Sequence, residues 1–409
     1  MISIQNSHIY ANFIMNMDVS DRVDKIKYAI RDVQVLANEL INQGHEILQF
    51  NIGDPLKFDY EVPDVMQKSL KENLHKGYYG DSVGLPVVRE KIAQYETVKQ
   101  GRSISKDDVI YFQGVSEGML FTLMSFLNAG DRILVPGPTY PAYESIGTAV
   151  QAEIVAYRCI EDDGWKPDVD DIRKKLTANT KLVVVINPNN PTGVVYSETV
   201  LNQVRDVVGE TNAAILSDEI YDKLVFDGKY TSMSSVCKDV PTVVFNGFSK
   251  VYLAPGWRAA YGYIVDENDK LQNPWEGVRK LCRVRLSANT PVSLAAVSAL
   301  DNNPKHLPGL LNKVKERRNI VTKRFDEIER ISYVNPKAAF YIFPSIDLKN
   351  SKWKDDKEFV LDFLREKQAL LVHGSGFGKE YGSDHFRLVY LANPEYLNEG
   401  LDRLSDFLN

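Results

Sequence analysis

Short apolar segments rich in β-branched residues recur through the first two thirds of the chain, and amphipathic segments separate them. Apolar segments of this length are typical of buried strands, which we predict at 132–135, 154–157, 181–187, 213–217, 242–248 and 261–265. The segment 197–208, between two of them, has the spacing of an amphipathic helix. This alternation predicts an α/β fold with a mostly parallel sheet flanked by helices.

The pattern changes in the C-terminal third, where charged helices alternate with shorter strands. We predict helices at 316–331, 356–367 and 394–408, and strands at 338–343 and 386–391. With an early helix at 22–42, these elements predict a smaller α+β domain made from both ends of the chain. The predicted segments are 18–60 for an N-terminal arm and part of the small domain, 61–300 for the large domain, and 301–409 for the small C-terminal domain.

Composition and charge exclude several classes of function. The 409 residues have 44% hydrophobic side chains and a net charge of −6 without a long basic run, so neither nucleic acid nor an anionic membrane is an expected partner. No apolar run approaches the ~20 residues of a membrane helix, and residues 1–17 lack the basic start of a secretory signal. Three separated cysteines indicate a reducing cytoplasm, and six scattered histidines give no metal-binding motif.

Polar side chains follow several of the predicted strands. In a parallel α/β sheet, ligands bind at the carboxyl ends of the strands, where Asn187, Asp218 and Ser249 are expected. Asp218 also has a simpler interpretation as a helix cap. In the functional interpretation, its carboxylate keeps a pyridine nitrogen protonated, while Tyr221 donates to a phenolic oxygen on the same ring. The segment 187–193, NPNNPTG, is either a turn or part of this site.

One lysine and one arginine carry the strongest chemical signal. Lys250 follows the apolar strand at 242–248, and Arg258 follows eight residues later in the motif Pro-Gly-Trp-Arg. A lysine removed from water can lose its proton and form a Schiff base with an aldehyde. An arginine can bind a phosphate with two donors. The pair predicts a cofactor that has both an aldehyde and a phosphate.

Two further segments fit the same cofactor. Ser116 lies in Gly-Val-Ser-Glu-Gly, before an apolar helical run at 119–127. It is either the N-cap of that helix or part of a phosphate site at the helix N-terminus. Tyr140 is either a core aromatic side chain or a ring that stacks on the cofactor. Each signal is weak alone, and the order of the motifs along the chain makes the combination specific.

Together these motifs resemble one enzyme family over nearly the whole chain, the fold-type I, class I/II aminotransferases that depend on pyridoxal 5'-phosphate (PLP). Within this family, the resemblance is greatest to the alanine aminotransferase branch. The stretches that carry the resemblance are 51–55, 186–193, 217–223, 245–258, 340–347 and 386–388. The resemblance implies that the predicted large domain binds PLP.

The resemblance also implies a role for each site residue. Lys250 would hold PLP as a Schiff base and move protons. Asp218 would pair with the ring nitrogen, and both Asn190 and Tyr221 would contact the ring oxygen. The expected catalytic residues are thus Lys250, Asp218 and Tyr221. The other expected cofactor contacts are Val115, Ser116, Ser249 and Arg258 at the phosphate, Tyr140 on the ring, and Tyr79 at the phosphate of a neighbouring subunit. The expected substrate contacts are Gly53, Tyr28, Asn190 and Arg387, of which Arg387 would bind the α-carboxylate.

Two positions depart from the family pattern. Gly247 stands where many relatives have serine or threonine, three residues before the lysine. This places one phosphate contact in question and leaves Ser249 as a partial substitute. Ala260 stands where relatives often have glycine, two residues after the arginine, and it adds a methyl group where the backbone is often tightly packed.

The expected activity is a ping-pong transfer of an amino group between an amino acid and 2-oxoglutarate, with alanine as the donor. An aspartate or broad-range aminotransferase is the alternative, since Arg283 or Arg285 could supply the second arginine of dicarboxylate-specific relatives. Other interpretations are a PLP-dependent lyase and a non-enzymatic PLP-binding regulator. The segment before Asn51 is too short for a complete DNA-binding part beside the helix at 22–42, which argues against a regulator. The resemblance also implies a homodimer with shared active sites.

Overall fold

The computed structural model describes residues 18–301 and 303–408, which contain all of the predicted helices and strands. Residues 1–17, on which the expectation about a secretory signal rests, lie outside the described residues. Among the described residues, none of the helices combines the length and the apolar character that crossing a bilayer requires.

Helices and strands alternate along the chain. The strands are β1 (Leu48–Gln49), β2 (Val109–Phe112), β3 (Arg132–Gly137), β4 (Glu153–Ile160), β5 (Lys166–Pro167), β6 (Thr180–Ile186), β7 (Ala214–Asp218), β8 (Thr242–Gly247), β9 (Ala260–Val265), β10 (Ile331–Ser332), β11 (Tyr341–Ile342), β12 (Ser345–Ile346), β13 (Ala369–Leu370), β14 (Val372–His373) and β15 (Phe386–Val389). The helices are α1 (Asp21–Asp24), α2 (Ala29–Asn42), α3 (Asp64–Asn73), α4 (Pro86–Gln100), α5 (Val115–Phe126), α6 (Pro141–Ala149), α7 (Val169–Lys175), α8 (Glu198–Gly209), α9 (Met233–Val236), α10 (Gln272–Arg285), α11 (Thr290–Val297), α12 (Leu307–Phe325), α13 (Asp356–Lys367), α14 (Lys379–Gly382) and α15 (Pro394–Leu408). Short 3₁₀ helices cover Pro55–Lys57, Glu161–Asp163, Pro255–Trp257 and Gly374–Phe377.

One large sheet has eight strands in the order β2-β9-β8-β7-β6-β3-β4-β5. Neighbours among β3, β4, β6, β7 and β8 run parallel, whereas β9 is antiparallel to β8 and β2, and β5 is antiparallel to β4. This topology confirms the mostly parallel sheet predicted from the sequence. The sequence pattern does not predict β2, a four-residue edge strand whose partner β9 is distant along the chain.

The central strands are apolar along their whole length because both faces of the sheet are covered. In β6, Val183 and Val185 pack into the core on one face. Leu182, Val184 and Ile186 pack into the core on the other face, and all five side chains are buried. Burial on both faces explains why these strands form continuous apolar runs in the sequence.

Most of the predicted elements are confirmed. The six strands predicted for the sheet correspond to β3, β4, β6, β7, β8 and β9, and the predicted helices at 197–208, 356–367 and 394–408 correspond to α8, α13 and α15. The helix predicted at 316–331 is wrong at both ends. Helix α12 begins at Leu307 with proline in its first turn, where no intrahelical N–H bond is lost. It ends at Phe325, and Ile331 instead pairs with β12.

The helix predicted at 22–42 is interrupted between α1 and α2. Tyr28 caps α2 with a non-helical φ of −139°. The break lets the Tyr28 hydroxyl reach that of Tyr140, with 2.7 Å between the two oxygens. The strand predicted at 338–343 is likewise reduced to β11, because Ala339 has a φ of +57°.

The two ends of the described chain meet in small sheets. Strand β1 pairs in parallel with β13, and β11, β15 and β14 form an antiparallel sheet. Strand β15 carries Arg387, which is paired in register with Val372 of β14. These pairings join the segments that the sequence assigns to the smaller α+β domain. The domain boundaries themselves stay predictions.

Gly262 in β9 tests how tightly the large sheet is packed. A methyl group at this position would lie 2.7 Å from Cδ1 of Phe245 and 3.1 Å from Cε2 of Phe112. Gly262→Ala should therefore destabilise the protein by about 1–3 kcal/mol, the usual effect of overpacking a filled core. Gly309→Ala in α12 is the matched control, because the same methyl group would meet nothing within 4 Å and alanine favours a helix. Calorimetric melting temperatures measure both variants, and an unchanged value for Gly262→Ala would contradict the packing argument.

Candidate active site

A cavity of about 530 Å³ opens at the carboxyl ends of the central strands. The predicted site residues in its lining are Lys250, Asp218, Tyr221, Asn190, Val115, Ser116, Tyr140, Ser249, Arg258, Gly53, Tyr28 and Arg387. Asp218 is the last residue of β7. The neighbouring strands β6 and β8 are followed by Asn190 and Lys250, respectively. Because parallel strands end at one edge of the sheet, groups far apart in the sequence meet in this cavity.

Lys250 lies in the turn that follows β8. Its Nζ donates to the carbonyl oxygen of Gly53 at 2.8 Å and lies 5.5 Å from the centre of the Phe340 ring. Both partners are neutral, so neither commits the amine to an ion pair. Lys250 therefore lines the cavity with its amine held by contacts that a ligand can replace.

Asp218 is the last residue of β7 and is 3% exposed. Its carboxylate accepts hydrogen bonds from Tyr143 Oη at 3.1 Å and from the backbone nitrogen of Ile220 at 3.3 Å. Burial raises the pKa of the carboxyl group to about 6, although these hydrogen bonds and the charge of Lys250 act in the opposite direction. A cation that enters the cavity beside Asp218 would stabilise the ionised form.

The N-terminus of α5 and the Arg258 side chain form an anion-binding corner of the cavity. Gly114 is the N-cap of α5, and Val115 and Ser116 are its first residues. N–H groups in a first turn have no intrahelical acceptor and carry the positive end of the helix dipole. The Arg258 guanidinium lies against Gly114, where any Cβ would overlap its Nη2 atom. Ser116 is thus not the N-cap, and the corner suits a phosphate.

Arg387 is a buried cation, with 1% of the residue exposed. Its Nη1 donates to Oδ1 of Asn190 at 3.0 Å, and its Nη2 donates to the carbonyl oxygen of Asn51. The guanidinium carbon lies 4.6 Å and 4.8 Å from the ring centres of Tyr341 and Phe377, and Nε has no hydrogen-bond partner among the described residues. Burial lowers the pKa of this guanidinium. An anion in the cavity would compensate for the buried charge.

Two tyrosine pairs also line the cavity. Tyr28 and Tyr140 meet edge to face with 6.3 Å between ring centres, and the hydroxyl oxygens of Tyr221 and Tyr341 are 2.8 Å apart. Burial raises the pKa of Tyr140 and that of Tyr221 well above the ordinary value for a phenol. Both hydroxyl groups therefore stay protonated and can donate hydrogen bonds to a ligand.

Two residues singled out in the sequence lie outside this cavity. Asn187 supports the loop after β6, since its amide nitrogen donates to the Thr231 carbonyl and its oxygen accepts from the Tyr196 backbone nitrogen. Tyr79 is 81% exposed. Its proposed contact with a neighbouring subunit stays a prediction.

The two candidates for a second substrate arginine are also elsewhere. Arg283 lies 2.8 Å from Glu276 in an ion pair on the surface of α10. Arg285 pairs with Glu117 and donates to the carbonyl oxygen of Ser82. Neither side chain lines the cavity of its own chain.

Arg31 and Tyr341 line the cavity although sequence reasoning did not assign them to it. Arg31 lies in the first turn of α2, where its backbone nitrogen donates to the carbonyl oxygen of Tyr28 at 2.9 Å. Tyr28 lies just outside α2 with a φ of −139°, so the spacing of three residues between Tyr28 and Arg31 does not reveal this arrangement in the sequence. Tyr341 lies in a stretch that the family resemblance covers, without a role assigned to it.

The two departures from the family pattern are one structural feature. Gly247 and Ala260 are directly paired across β8 and β9. A Cβ at Gly247 would lie 2.8 Å from Cβ of Ala260 and 3.0 Å from the carbonyl oxygen of Ala259. A serine or threonine at 247 therefore does not fit beside Ala260. Ser249 lines the cavity and provides a hydroxyl group there.

The residues present fit PLP. The buried Asp218 carboxylate suits a protonated ring nitrogen, the Lys250 amine suits an aldehyde, and Arg258 with the α5 N-terminus suits a phosphate. The absence of a side chain at Gly114, with a φ of +85°, is what leaves room for the guanidinium in that corner.

Comparison with known proteins leads to the same family. The model of the family "Aminotransferase class I and II" matches residues 45–404. The chain is 37% identical over 397 residues to the glutamate-pyruvate aminotransferase AlaA of Haemophilus influenzae, which covers 95% of this chain and 98% of that protein. A solved structure of an alanine aminotransferase from Pyrococcus furiosus has a TM-score of 0.92 and 45% identity, and the match covers 96% of this chain and 99% of that one. An aspartate aminotransferase structure from Thermotoga maritima has a TM-score of 0.85 and 29% identity, with 96% and 100% coverage.

The family model spans the cavity residues named above from Gly53 to Arg387, whereas Tyr28 and Arg31 precede it, and these relatives each cover at least 95% of the chain. Enzymes of this family depend on PLP, in agreement with the fit of the cavity residues to that cofactor. The chain therefore belongs to the class I and II aminotransferases and is a PLP-dependent transaminase.

Proposed function

We propose that the enzyme moves an amino group between alanine and 2-oxoglutarate by a ping-pong mechanism. The observation that carries this proposal is Arg387, a buried guanidinium in the cavity that hydrogen-bonds to neutral oxygens. Both substrates have a carboxylate next to the reacting carbon, which Arg387 can bind with two donors. Relatives named as alanine and glutamate-pyruvate aminotransferases support this choice of substrates.

When bound, PLP supplies an aldehyde that takes up the amino group and a ring that accepts electrons from the substrate carbon. Asp218 would hold a proton on the ring nitrogen, Asn190 and Tyr221 would hydrogen-bond to the ring oxygen, and Tyr140 would pack on the ring face. Val115, Ser116, Ser249 and Arg258, which line the cavity, would hold the phosphate.

Lys250 is the proton carrier in this proposal. Its Nζ would take the proton from the substrate Cα and deliver it to the cofactor carbon that has received the amino group, and the second half-reaction would run the same transfer in reverse. The hydrogen bond from Nζ to the Gly53 carbonyl oxygen supports this role, because Gly53 is an expected substrate contact. Arg387 fixes the carboxylate of the substrate and so orients the Cα–H bond toward Lys250.

Arg31 extends the proposal to the second carboxylate of 2-oxoglutarate and glutamate. Arg31 lines the cavity together with Tyr28 and Arg387, so its guanidinium would be a second one within reach of the substrate. Alanine and pyruvate lack a second carboxylate and need only Arg387. One cavity can thus accept both a small and a dicarboxylic substrate, as the alternating half-reactions require.

We also propose a homodimer with shared active sites in a reducing cytoplasm. Tyr79 is exposed, as are the large apolar side chains of Val284 and Leu286, and all three are available to a second copy of the chain. The cysteines are free and buried, which suits a reducing compartment. Sedimentation velocity tests the assembly, and a fully active monomer would contradict it.

Lys250→Ala should lower transamination by roughly 10²–10⁴-fold or more, because it removes the general base. The measurement is pyruvate formed from alanine in the presence and absence of 2-oxoglutarate. Lys313→Ala is the control, since that lysine pairs with Asp59 outside the cavity and its loss should leave the rate unchanged. Full activity of Lys250→Ala would exclude this mechanism, and sustained pyruvate formation from cysteine without an acceptor, which requires loss of the β-substituent, would indicate a lyase.

Arg31→Gln should selectively weaken the binding of dicarboxylic substrates. Losing a charge-assisted hydrogen bond costs about 1.5 kcal/mol, so KM for glutamate and 2-oxoglutarate should rise roughly tenfold. KM for alanine and pyruvate should change little. Arg22→Gln is the matched control on the same N-terminal segment, because Arg22 does not line the cavity. Equal losses for alanine and glutamate would disprove a contact with the second carboxylate.

A further inference from the structure

The turn that follows β7 directs its side chains to two different regions. Asp218 and Tyr221 line the cavity, whereas Glu219 and Asp222 are buried outside it. The turn is closed by hydrogen bonds from the Asp222 nitrogen to the Glu219 carbonyl oxygen and from the Leu224 nitrogen to the Tyr221 carbonyl oxygen. Because one short turn carries both sets of side chains, the positions of Asp218 and Tyr221 depend on how Glu219 and Asp222 are held.

Glu219 is anchored by four donors. Its Oε1 accepts from Ser217 Oγ at 2.9 Å, Ser232 Oγ at 2.8 Å and the Met233 nitrogen at 3.1 Å, and its Oε2 accepts from Tyr230. Burial raises the pKa of this carboxyl group to about 7, although the hydrogen bonds and a nearby ammonium oppose that rise. The site behind the turn is therefore closely packed and polar.

Asp222 is held from two directions. Lys99 Nζ in α4 lies 2.5 Å from its Oδ2, and Asn246 Nδ2 in β8 donates to the same oxygen at 2.9 Å. Strand β8 leads directly into the turn that carries Lys250. Asp222 thus joins a helix, the turn with Asp218 and Tyr221, and the strand before Lys250.

Lys99 is itself fixed in the interior. It lies 3.1 Å from Oε1 of Glu96, and Glu96 accepts hydrogen bonds from Tyr261 and Tyr263 of β9. Burial alone would lower the pKa of the Lys99 ammonium, but the surrounding carboxylates outweigh burial and hold the pKa well above its ordinary value. Lys99 therefore stays a cation beside Asp222.

We propose that Lys99 and Asp222 are positioning residues for the active site. Their ion pair, extended through Asn246, locks the turn that carries Asp218 and Tyr221 against the strand that leads to Lys250. The inference rests on the proposed roles of those three residues and adds a second set of groups that never touches the substrate. The ion pair sets the distance between the group that protonates the ring and the group that moves the substrate proton.

Loss of a positioning residue changes kcat and the environment of the cofactor, whereas loss of a merely stabilising residue changes the melting temperature. Asp222→Asn keeps the size of the side chain but removes its charge, so the turn loses its electrostatic hold on Lys99. We expect kcat for alanine to fall roughly tenfold, because small displacements of catalytic groups have large effects on rate. KM should change less than about twofold, since Arg387 is untouched. The visible circular dichroism of the bound cofactor should also change, because it reports the orientation of the ring.

Asp356→Asn is the matched control. Asp356 is also buried, accepts from the Ser375 nitrogen at 2.6 Å, and does not line the cavity. Its loss should lower the melting temperature while kcat and the cofactor spectrum stay as in the parent enzyme. If Asp222→Asn matches the parent in kcat and dichroism, or if Asp356→Asn shows the same kinetic loss, the positioning role is overturned.

A second variant keeps the proposal testable if Asp222→Asn does not fold. Asn246→Ala removes the link between Asp222 and β8 but leaves the Lys99 ion pair intact and adds no unpaired charge. It should reduce kcat and alter the dichroism in the same direction as Asp222→Asn, and a parent-like result would count against the proposal. The activity of the parent enzyme distinguishes a failure of the proposed function from a failure of the positioning role. A parent that does not transaminate any amino acid refutes the proposed function, whereas an active parent with an equally active Asn246→Ala refutes only the positioning role.

Discussion

A charge removed from water must be paired or neutralised, and much of this structure depends on how that requirement is met. Behind the turn after β7, the chain meets it internally with the ion pair of Lys99 and Asp222. In the cavity, Asp218 and Arg387 are buried among neutral hydrogen-bond partners. In the proposed function, ligands complete their charges, a ring cation for Asp218 and a carboxylate for Arg387. The same physical constraint therefore holds the scaffold rigid and makes the cavity selective.

Site residues whose position follows from a strand end could be predicted from the sequence. β7 and β8 are parallel neighbours, so Asp218 and Lys250 had to meet once both strands were recognised as apolar runs. Arg31 could not be found in this way. Its approach to the cavity depends on the break in the helix at Tyr28, while the residues around that break keep helical spacing. Ser116 was displaced by two positions from the true cap because Gly114 adopts a positive φ, which a serine avoids.

The pairing of β8 with β9 relates two departures from the family pattern that are separate in the sequence. Gly247 and Ala260 differ from relatives at positions thirteen residues apart, and nothing in the sequence relates them. In the structure they face each other across two strands, and the methyl group of Ala260 fills the space that a side chain at 247 would need. A Cβ at 247 would also lie 3.0 Å from the carbonyl oxygen of Ala259, so both the methyl group and the backbone exclude a side chain there. Pairing between β8 and β9, which only three-dimensional structure reveals, places the two residues in one tightly packed contact.

The parallel pairing of β1 with β13 brings the two ends of the chain together. Arg31 and Arg387 belong to these ends, whereas Lys250, Asp218 and Arg258 belong to the middle of the chain. In the proposed function, the guanidinium groups that bind the substrate therefore come from the terminal parts of the chain, while most cofactor groups come from its middle. Substitutions of Arg31 or Arg387 would then change which acids bind while Lys250, Asp218 and Arg258 stay in place.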